Sequence, residues 1–335
     1  MIVERVHAAR MDYLAALRRV EAGSRGDWAA AMTALYADHV AWHGPRPLDD
    51  RQGAAALRAA VWEPLLRAFP DISRRDDIVL GGEFAGGVWV TSHGHYCGNF
   101  VAPWLGIAPS GRVATLRFGE FCRIEAGKVV EAYVIFDLPD LMRQCGCWPL
   151  APSIGAMQAV PGPATHDGVQ VGLADPAESR RSLDLVEAMI AGLMRYDGMD
   201  FASMDMDRYW HPDFMWYGPG GIGTSKGFPG YRQAHSAPFL AAFPDRVGGD
   251  HKARLGEGSY VASTGWPSVR ATHLGGGWLG LPPTGRRVGM RVMDFWRRDG
   301  DLLAENWVLI DVLDLLDQMG VDILARASIT AKGLQ

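Results

Sequence analysis

Two segments of this 335-residue chain run through alternating side chains and end on an aspartate: Glu131-Ala132-Tyr133-Val134-Ile135-Phe136-Asp137 and Glu305-Asn306-Trp307-Val308-Leu309-Ile310-Asp311. In a strand, period two puts Glu131, Tyr133, Ile135 and Asp137 on one face and Ala132, Val134 and Phe136 on the other. A carboxylate closing an apolar, aromatic face is partly desolvated. Its pKa then rises toward neutrality, which suits it to take a proton from a carbon acid. The competing reading is an N-cap, because Asp137 precedes Leu138-Pro139 and Asp311 precedes Val312-Leu313, each the start of a short helical segment.

A second pair of acids interrupts apolar alternation. Glu120 lies among Ala114, Leu116, Phe118, Cys122 and Ile124, and Asp294 among Val288, Met290, Val292 and Trp296. An acid on a buried face needs a partner. Arg117 and Arg291 fall on the opposite face of the same strands, so the pair reads either as pocket acids or as ion pairs with another strand. The histidines differ between the two regions: His43 in Trp42-His43-Gly44-Pro45, with His93 and His95 on one strand face, against Tyr217 in Trp216-Tyr217-Gly218-Pro219 and a separate His273. Asp137 with His43 or His95, and Asp311 with His273, are therefore candidate acid–imidazole pairs. His93 and His95 have the spacing of two metal ligands, but no third ligand is identifiable, and no metal is expected. Trp42, Trp89, Trp104, Tyr133, Trp216, Tyr217, Trp278 and Trp307 are the candidate walls for a flat or bulky apolar ligand, with Glu120 and Asp294 beside them. Gly275-Gly276-Gly277 lacks the strand–loop–helix setting of a nucleotide site, and neither a P-loop nor Gly-x-Ser-x-Gly occurs, so no cofactor is expected.

The elements that must position these groups occur twice. An offset of 174 residues lays Trp42, Gly44 and Pro45 on Trp216, Gly218 and Pro219, Ala68-Phe69-Pro70-Asp71 on Ala242-Phe243-Pro244-Asp245, and Asp137, Gln144 and Gly146 on Asp311, Gln318 and Gly320. The chain is a tandem duplication. One copy is expected over 1–147 and the other over 179–328, joined by a Pro/Gly-interrupted linker, 148–178. Apolar spacing predicts helices near 3–21, 27–37 and 52–68 in the first copy and near 183–194, 200–210 and 229–242 in the second. Alternation then predicts strands, including 113–124 and 129–137 with counterparts 287–298 and 302–311, and a short helix ends each copy. Helices followed by an antiparallel meander give an α+β domain.

The stretch from Thr272 to Gly320 carries Thr-His-Leu-Gly, Pro-Pro-Thr-Gly-Arg, Asp-Gly, Glu-x-Trp, Asp and Leu-x-Gln-x-Gly, and resembles the SnoaL-like polyketide cyclase family within the nuclear-transport-factor-2-like superfamily. The first copy follows the pattern more loosely, and Asn306 separates Glu305 from Trp307 where the family usually has His. The resemblance implies a cone in each copy, with three N-terminal helices packed in a curved antiparallel sheet and an apolar pocket at the open end. It also implies a single acid/base Asp at the end of the last strand, which the motif match assigns to Asp137 and Asp311. Relatives include cyclases, isomerases, epoxide hydrolases, dehydratases and binding proteins. The expected function is binding of a small apolar or aromatic metabolite with cofactor-independent acid/base catalysis, as aldol-type cyclisation, isomerisation or hydrolysis. A non-catalytic binding module is the alternative. Single-copy relatives commonly dimerise, so the two copies are expected to form an internal pseudo-dimer, with further homo-oligomerisation open.

Composition bounds the partners. With 33 Lys+Arg against 38 Asp+Glu and no basic run, the chain has no electrostatic footprint for nucleic acid or an anionic membrane. No stretch reaches the apolar length of a membrane span, and the charged N-terminal segment lacks a signal-peptide core, so a cytoplasmic location is expected. Cys97, Cys122, Cys145 and Cys147 then read as reduced thiols.

Overall fold

The computed structural model describes residues 2–332. The first repeat runs α1 (Ile2–Ala22), α2 (Trp28–Thr33), β1 (Tyr36–His43), β2 (Arg51–Gln52), then α3 (Ala54–Leu57) and α4 (Glu63–Ala68) joined through a π turn at Arg58–Trp62. Strands β3 (Ser73–Phe84), β4 (Gly87–Asn99), β5 (Val113–Glu125) and β6 (Lys128–Phe136) follow, and α5 (Leu138–Gln144) closes it. The second repeat is α6 (Pro176–Leu193), β7 (Trp210–Tyr217), β8 (Thr224–Lys226), α7 (Gly227–Tyr231) and α8 (Ala237–Ala242) around a π turn at Arg232–Ser236, then β9 (Val247–Gly248), β10 (His251–Glu257), β11 (Tyr260–Thr272), β12 (Arg287–Asp299), β13 (Leu302–Ile310), α9 (Val312–Gln318) and α10 (Ile323–Lys332). Local chemistry sets several boundaries: Asp175 caps α6 through the Ala177 N–H with Pro176 next in line, and Ala126-Gly127, at φ 48° and 72°, turns β5 into β6.

The two sheets share one strand order, β2-β1-β6-β5-β4-β3 and β8-β7-β13-β12-β11-β10, with β9 paired to β11. Tandem α+β duplication is thus the architecture. Several details depart from the expected helices and meander: the expected helix 200–210 is two short 3-10 turns, Phe201–Met204 and Met206–Arg208, and residue 52 belongs to β2. Residues 36–37 and 210 are strand rather than helix, and β1 and β7 pair in parallel with β6 and β13, making each sheet mixed. Burial of Tyr36, Val40 and Trp42 on one face of a sheet outweighs a weak helical preference.

Alternation along the strands divides the core. Ala114, Leu116, Phe118, Cys122, Ala132, Val134 and Phe136 face the first repeat's helices. Phe121, Tyr133 and Ile135 face the other way and pack against Met293, Phe295, Trp307 and Leu309 of the second sheet. The sheets therefore meet back to back, with each set of helices on the outside. The linker lies against both repeats: Ala156 and Thr224 exchange two backbone hydrogen bonds of 2.8 Å, Val79 N–H bonds Gly168 O at 2.9 Å, and Trp307 Nε1 donates to Pro161 O at 2.8 Å.

Candidate functional site

The strand-end aspartates do not look into the cones. Asp137 caps α5 through the Asp140 N–H at 3.3 Å, receives Arg117 Nη2 at 2.8 Å, and accepts the backbone N–H of Gly220 from the other repeat at 3.0 Å. Arg117 is held in turn by the carbonyls of Tyr217, Gly218 and Val308. Asp311 mirrors this, with the Asp314 N–H at 3.2 Å, Arg291 at 3.1 Å and the Arg46 N–H of the first repeat at 3.1 Å. Burial and the neighbouring Asp314 push the Asp311 carboxyl up to about 7 against the pull of Arg291. The expected face grouping of Glu131, Tyr133, Ile135 and Asp137 is what the strand shows, but that face meets the second sheet. The capping reading accounts for both aspartates.

Several other expected site residues share this junction. His43 stacks on Tyr133 with 4.5 Å between ring centroids and bonds Asp50 at 3.2 Å, while Tyr217 stacks on Trp307 at 5.3 Å in the second repeat. His95 pairs with Asp77 at 3.0 Å, and Trp89 packs beside Tyr133. His95 shares with Asp137 and Arg117 the lining of a small hollow at the junction, and none of these residues is assembled with Asp137 or Asp311 inside a cone. A groove of about 790 Å³ is lined in part by Trp89, Tyr133, Arg123 and Lys252, but its cations are already engaged, Arg123 by Glu131 and Lys252 by Asp250.

The interior acids are the other pair. In the first cone, Glu120 accepts the Tyr13 hydroxyl at 2.6 Å and is ion-paired with Arg74, whose guanidinium also reaches Asp76 at 2.7 Å, Tyr96 at 3.1 Å and Ser92 at 3.2 Å. Arg74 comes from β3, two strands away, which is why the strand carrying Glu120 gave no hint of it. Around this network Trp28, Trp42, Leu57, Val61, Trp62 and Phe118 are fully buried, with Trp104 tilted against Phe136 at 6.0 Å between ring centroids. The interior acid of the first repeat is charge-compensated.

The second cone differs at each of these points. The position of Arg74 falls on Gly248, and no ion pair reaches Asp294 among the described residues. Among the described residues its carboxylate accepts only from Asn306 Nδ2, at 3.4 Å, at the position that is Ala132 in the first repeat. Burial pushes Asp294 up to about 7, with Asn306 and Arg254 pulling weakly the other way. Burial, then the Asp294 charge, raises the phenol of Tyr231. Asp294, Val292, Tyr231, His235 and Phe239 remain only half-buried. His235 stacks on Trp216 at 4.3 Å and on Phe239 at 5.3 Å, and burial pushes its imidazole down to about 3. Trp278 lies edge-on to Phe243, and His273 packs on Phe243 with Nδ1 3.2 Å from the Thr284 hydroxyl. Buried Nδ1 of His235, Nε2 of His273, Nε1 of Trp296 and Oγ of Ser225 have no partner among the described residues.

Of the expected residues, the structure thus gathers Trp216, Trp278, Asp294 and His273 at the second cone, and Trp42, Trp104 and Glu120 at the first. His235 and Tyr231 were missed in sequence. Their signal was present, since Tyr231, His235 and Phe239 recur every fourth residue along the helical segment 229–242.

Two sheets of one strand order packed back to back, each with its own helices, define a tandem α+β protein. The model of the SnoaL-like polyketide cyclase family matches residues 14–145 and 196–319, more than half of the chain, and the chain belongs to that family. Among solved structures it is similar to AclR from Streptomyces galilaeus (17% identity, 42% of this chain and 97% of that one, TM-score 0.35). It is also similar to IdmH from Streptomyces antibioticus (20%, 41% and 98%, 0.34) and to an NTF2-like protein from Burkholderia thailandensis (22%, 42% and 95%, 0.31). Comparison with curated proteins gives no significant match.

Proposed function

We propose that the chain is a cofactor-independent acid/base catalyst acting on a small, flat, carbonyl-containing molecule in the second cone, in the class of aldol-type cyclisation or isomerisation, with Asp294 as the group that moves the proton. The observation that carries this reading is the contrast between Glu120, tied to Arg74, and Asp294, half-buried with no ion-pair partner among the described residues. A carboxyl near 7 is present as both acid and base at neutral pH, so it can take a proton and return it. The carboxylate removes the proton from the carbon beside a carbonyl, and the C–H pair becomes part of a C=C bond. The carbonyl π pair moves to oxygen, and the resulting nucleophilic carbon either takes the proton back or attacks a second carbonyl, whose π pair moves to its own oxygen and takes the proton from Asp294 as the first C=O re-forms. Trp216, Trp278 and Phe239 supply aromatic wall for a flat ligand. The first repeat serves as the packing partner of an internal pseudo-dimer, with the domain limits 1–147 and 179–328 and the linker between them.

The test is deuterium exchange at the α-carbon of 2-tetralone, a flat aromatic ketone, followed by NMR in D2O. The intact protein should accelerate exchange, and Asp294→Asn should reduce the acceleration by about 100-fold or more while Asp137→Asn and Asp311→Asn retain it. Exchange unaffected by Asp294→Asn rejects the catalytic assignment and leaves the binding-module reading.

A further inference from the structure

We propose that His235 binds the carbonyl oxygen of the second-cone ligand, donating a hydrogen bond that strengthens as that oxygen gains negative charge; the assignment rests on the reading of Asp294 above. The imidazole is clamped between Trp216 and Phe239, with interplanar angles of 17° and 26°, and Tyr231 closes a third side at 5.4 Å. That sandwich fixes the direction of the ring nitrogens before any ligand arrives. Nδ1 is buried with no partner among the described residues. A buried polar nitrogen left unpaired is costly, and a ligand oxygen supplies the missing partner.

The comparison between repeats points the same way. The residue at the equivalent position in the first repeat is Val61, which is fully buried. At this position imidazole therefore stands in the repeat whose interior carboxyl has no ion-pair partner among the described residues. His235 further lies within the π turn Arg232–Ser236, an irregularity that shifts side chains off the regular helical spacing. No carboxylate pairs with the ring among the described residues, so it stays neutral and keeps its proton while donating to a developing oxyanion. In the exchange reaction Asp294 takes the carbon-bound proton and gives it back, and His235 transfers none.

The experiment compares 2-naphthol, whose oxygen mimics the enol of 2-tetralone, with naphthalene, which has the same flat body and no oxygen. Binding to the full chain is measured by fluorescence. The intact protein should prefer 2-naphthol, His235→Phe should reduce that preference about tenfold while leaving naphthalene affinity in place, and His235→Gln, which keeps an N–H donor, should restore part of it. A second measurement needs no variant: with 15N-labelled histidine, 2-naphthol should shift the His235 ring nitrogens and naphthalene should not. An unchanged preference in His235→Phe, or ring nitrogens indifferent to 2-naphthol when it binds, overturns the assignment and leaves Asp294 standing. If the intact protein binds neither compound, the ligand reading of the second cone fails and His235 falls with it.

Discussion

The carboxylate of Asp137 accepts the backbone N–H of Gly220 across the junction of the two repeats, 3.0 Å away. The converse contact exists, because Asp311 accepts the N–H of Arg46, and residues 46 and 220 are equivalent under the 174-residue offset. Such reciprocity is the signature of a two-fold contact between identical units, preserved here within one chain. It gives both aspartates a structural role at the junction.

That role predicts unequal costs. Asp137→Ala leaves the guanidinium of Arg117 buried without its carboxylate and should destabilise the protein by about 3 kcal/mol in urea denaturation. Asp311→Ala should cost roughly 1–2 kcal/mol, because Arg291 is 24% exposed and keeps a second carboxylate, Asp314, at 3.6 Å. Loss of 2-tetralone exchange in a folded Asp137→Ala protein would restore that residue to the chemistry.

The sheets interlock at Gly119, where an added Cβ would lie 3.0 Å from Leu309 Cδ1 and 3.1 Å from the sulfur of Met293. Met293 is the residue equivalent to Gly119, so one repeat supplies the hollow and the other the filling. Gly119→Leu should overpack the junction and lower stability by about 1–3 kcal/mol, and adding Met293→Ala should recover part of the loss. Additive effects in the double variant would show that the two positions do not meet.

Asp294 sets a pH dependence of stability with a defined sign. Its carboxyl is raised to about 7 in the folded chain, so the native state holds a proton that the unfolded state has released. The contribution is fully present below the unfolded pKa of about 4 and is lost as pH rises through about 7. Asp294→Asn removes this penalty. The variant should be more stable than the parent by roughly 2 kcal/mol at pH 8, a value discounted for the half-buried position, and near parity at pH 4. Melting curves across that range decide it; a constant difference would mean that Asp294 has an ordinary pKa.

The first cone predicts a coupled pair. Arg74→Met strands Glu120 in an apolar interior and should cost about 3–5 kcal/mol, whereas Arg74→Met with Glu120→Gln should cost less than Arg74→Met alone. Denaturation of the four members of this double-mutant cycle measures the coupling, and strict additivity would refute the pairing.

Much of this molecule is written along the chain. The 174-residue offset declares the duplication, alternation assigns Glu120 and Asp294 to the same face as Phe118 and Val292, and Asp before a short helix announces the caps at Asp137 and Asp311. Period two, however, separates the faces of a strand without labelling them. Which face enclosed the cone and which met another sheet depended on where the second repeat packed, and that placed Tyr133, Trp307 and both strand-end aspartates at the junction. The partner of Glu120 was equally hidden, since Arg74 reaches it from a strand more than forty residues earlier. Local order in the sequence determined the elements and the acids; long-range packing decided which acid was neutralised and which was left open, because charge compensation depends on distance in space.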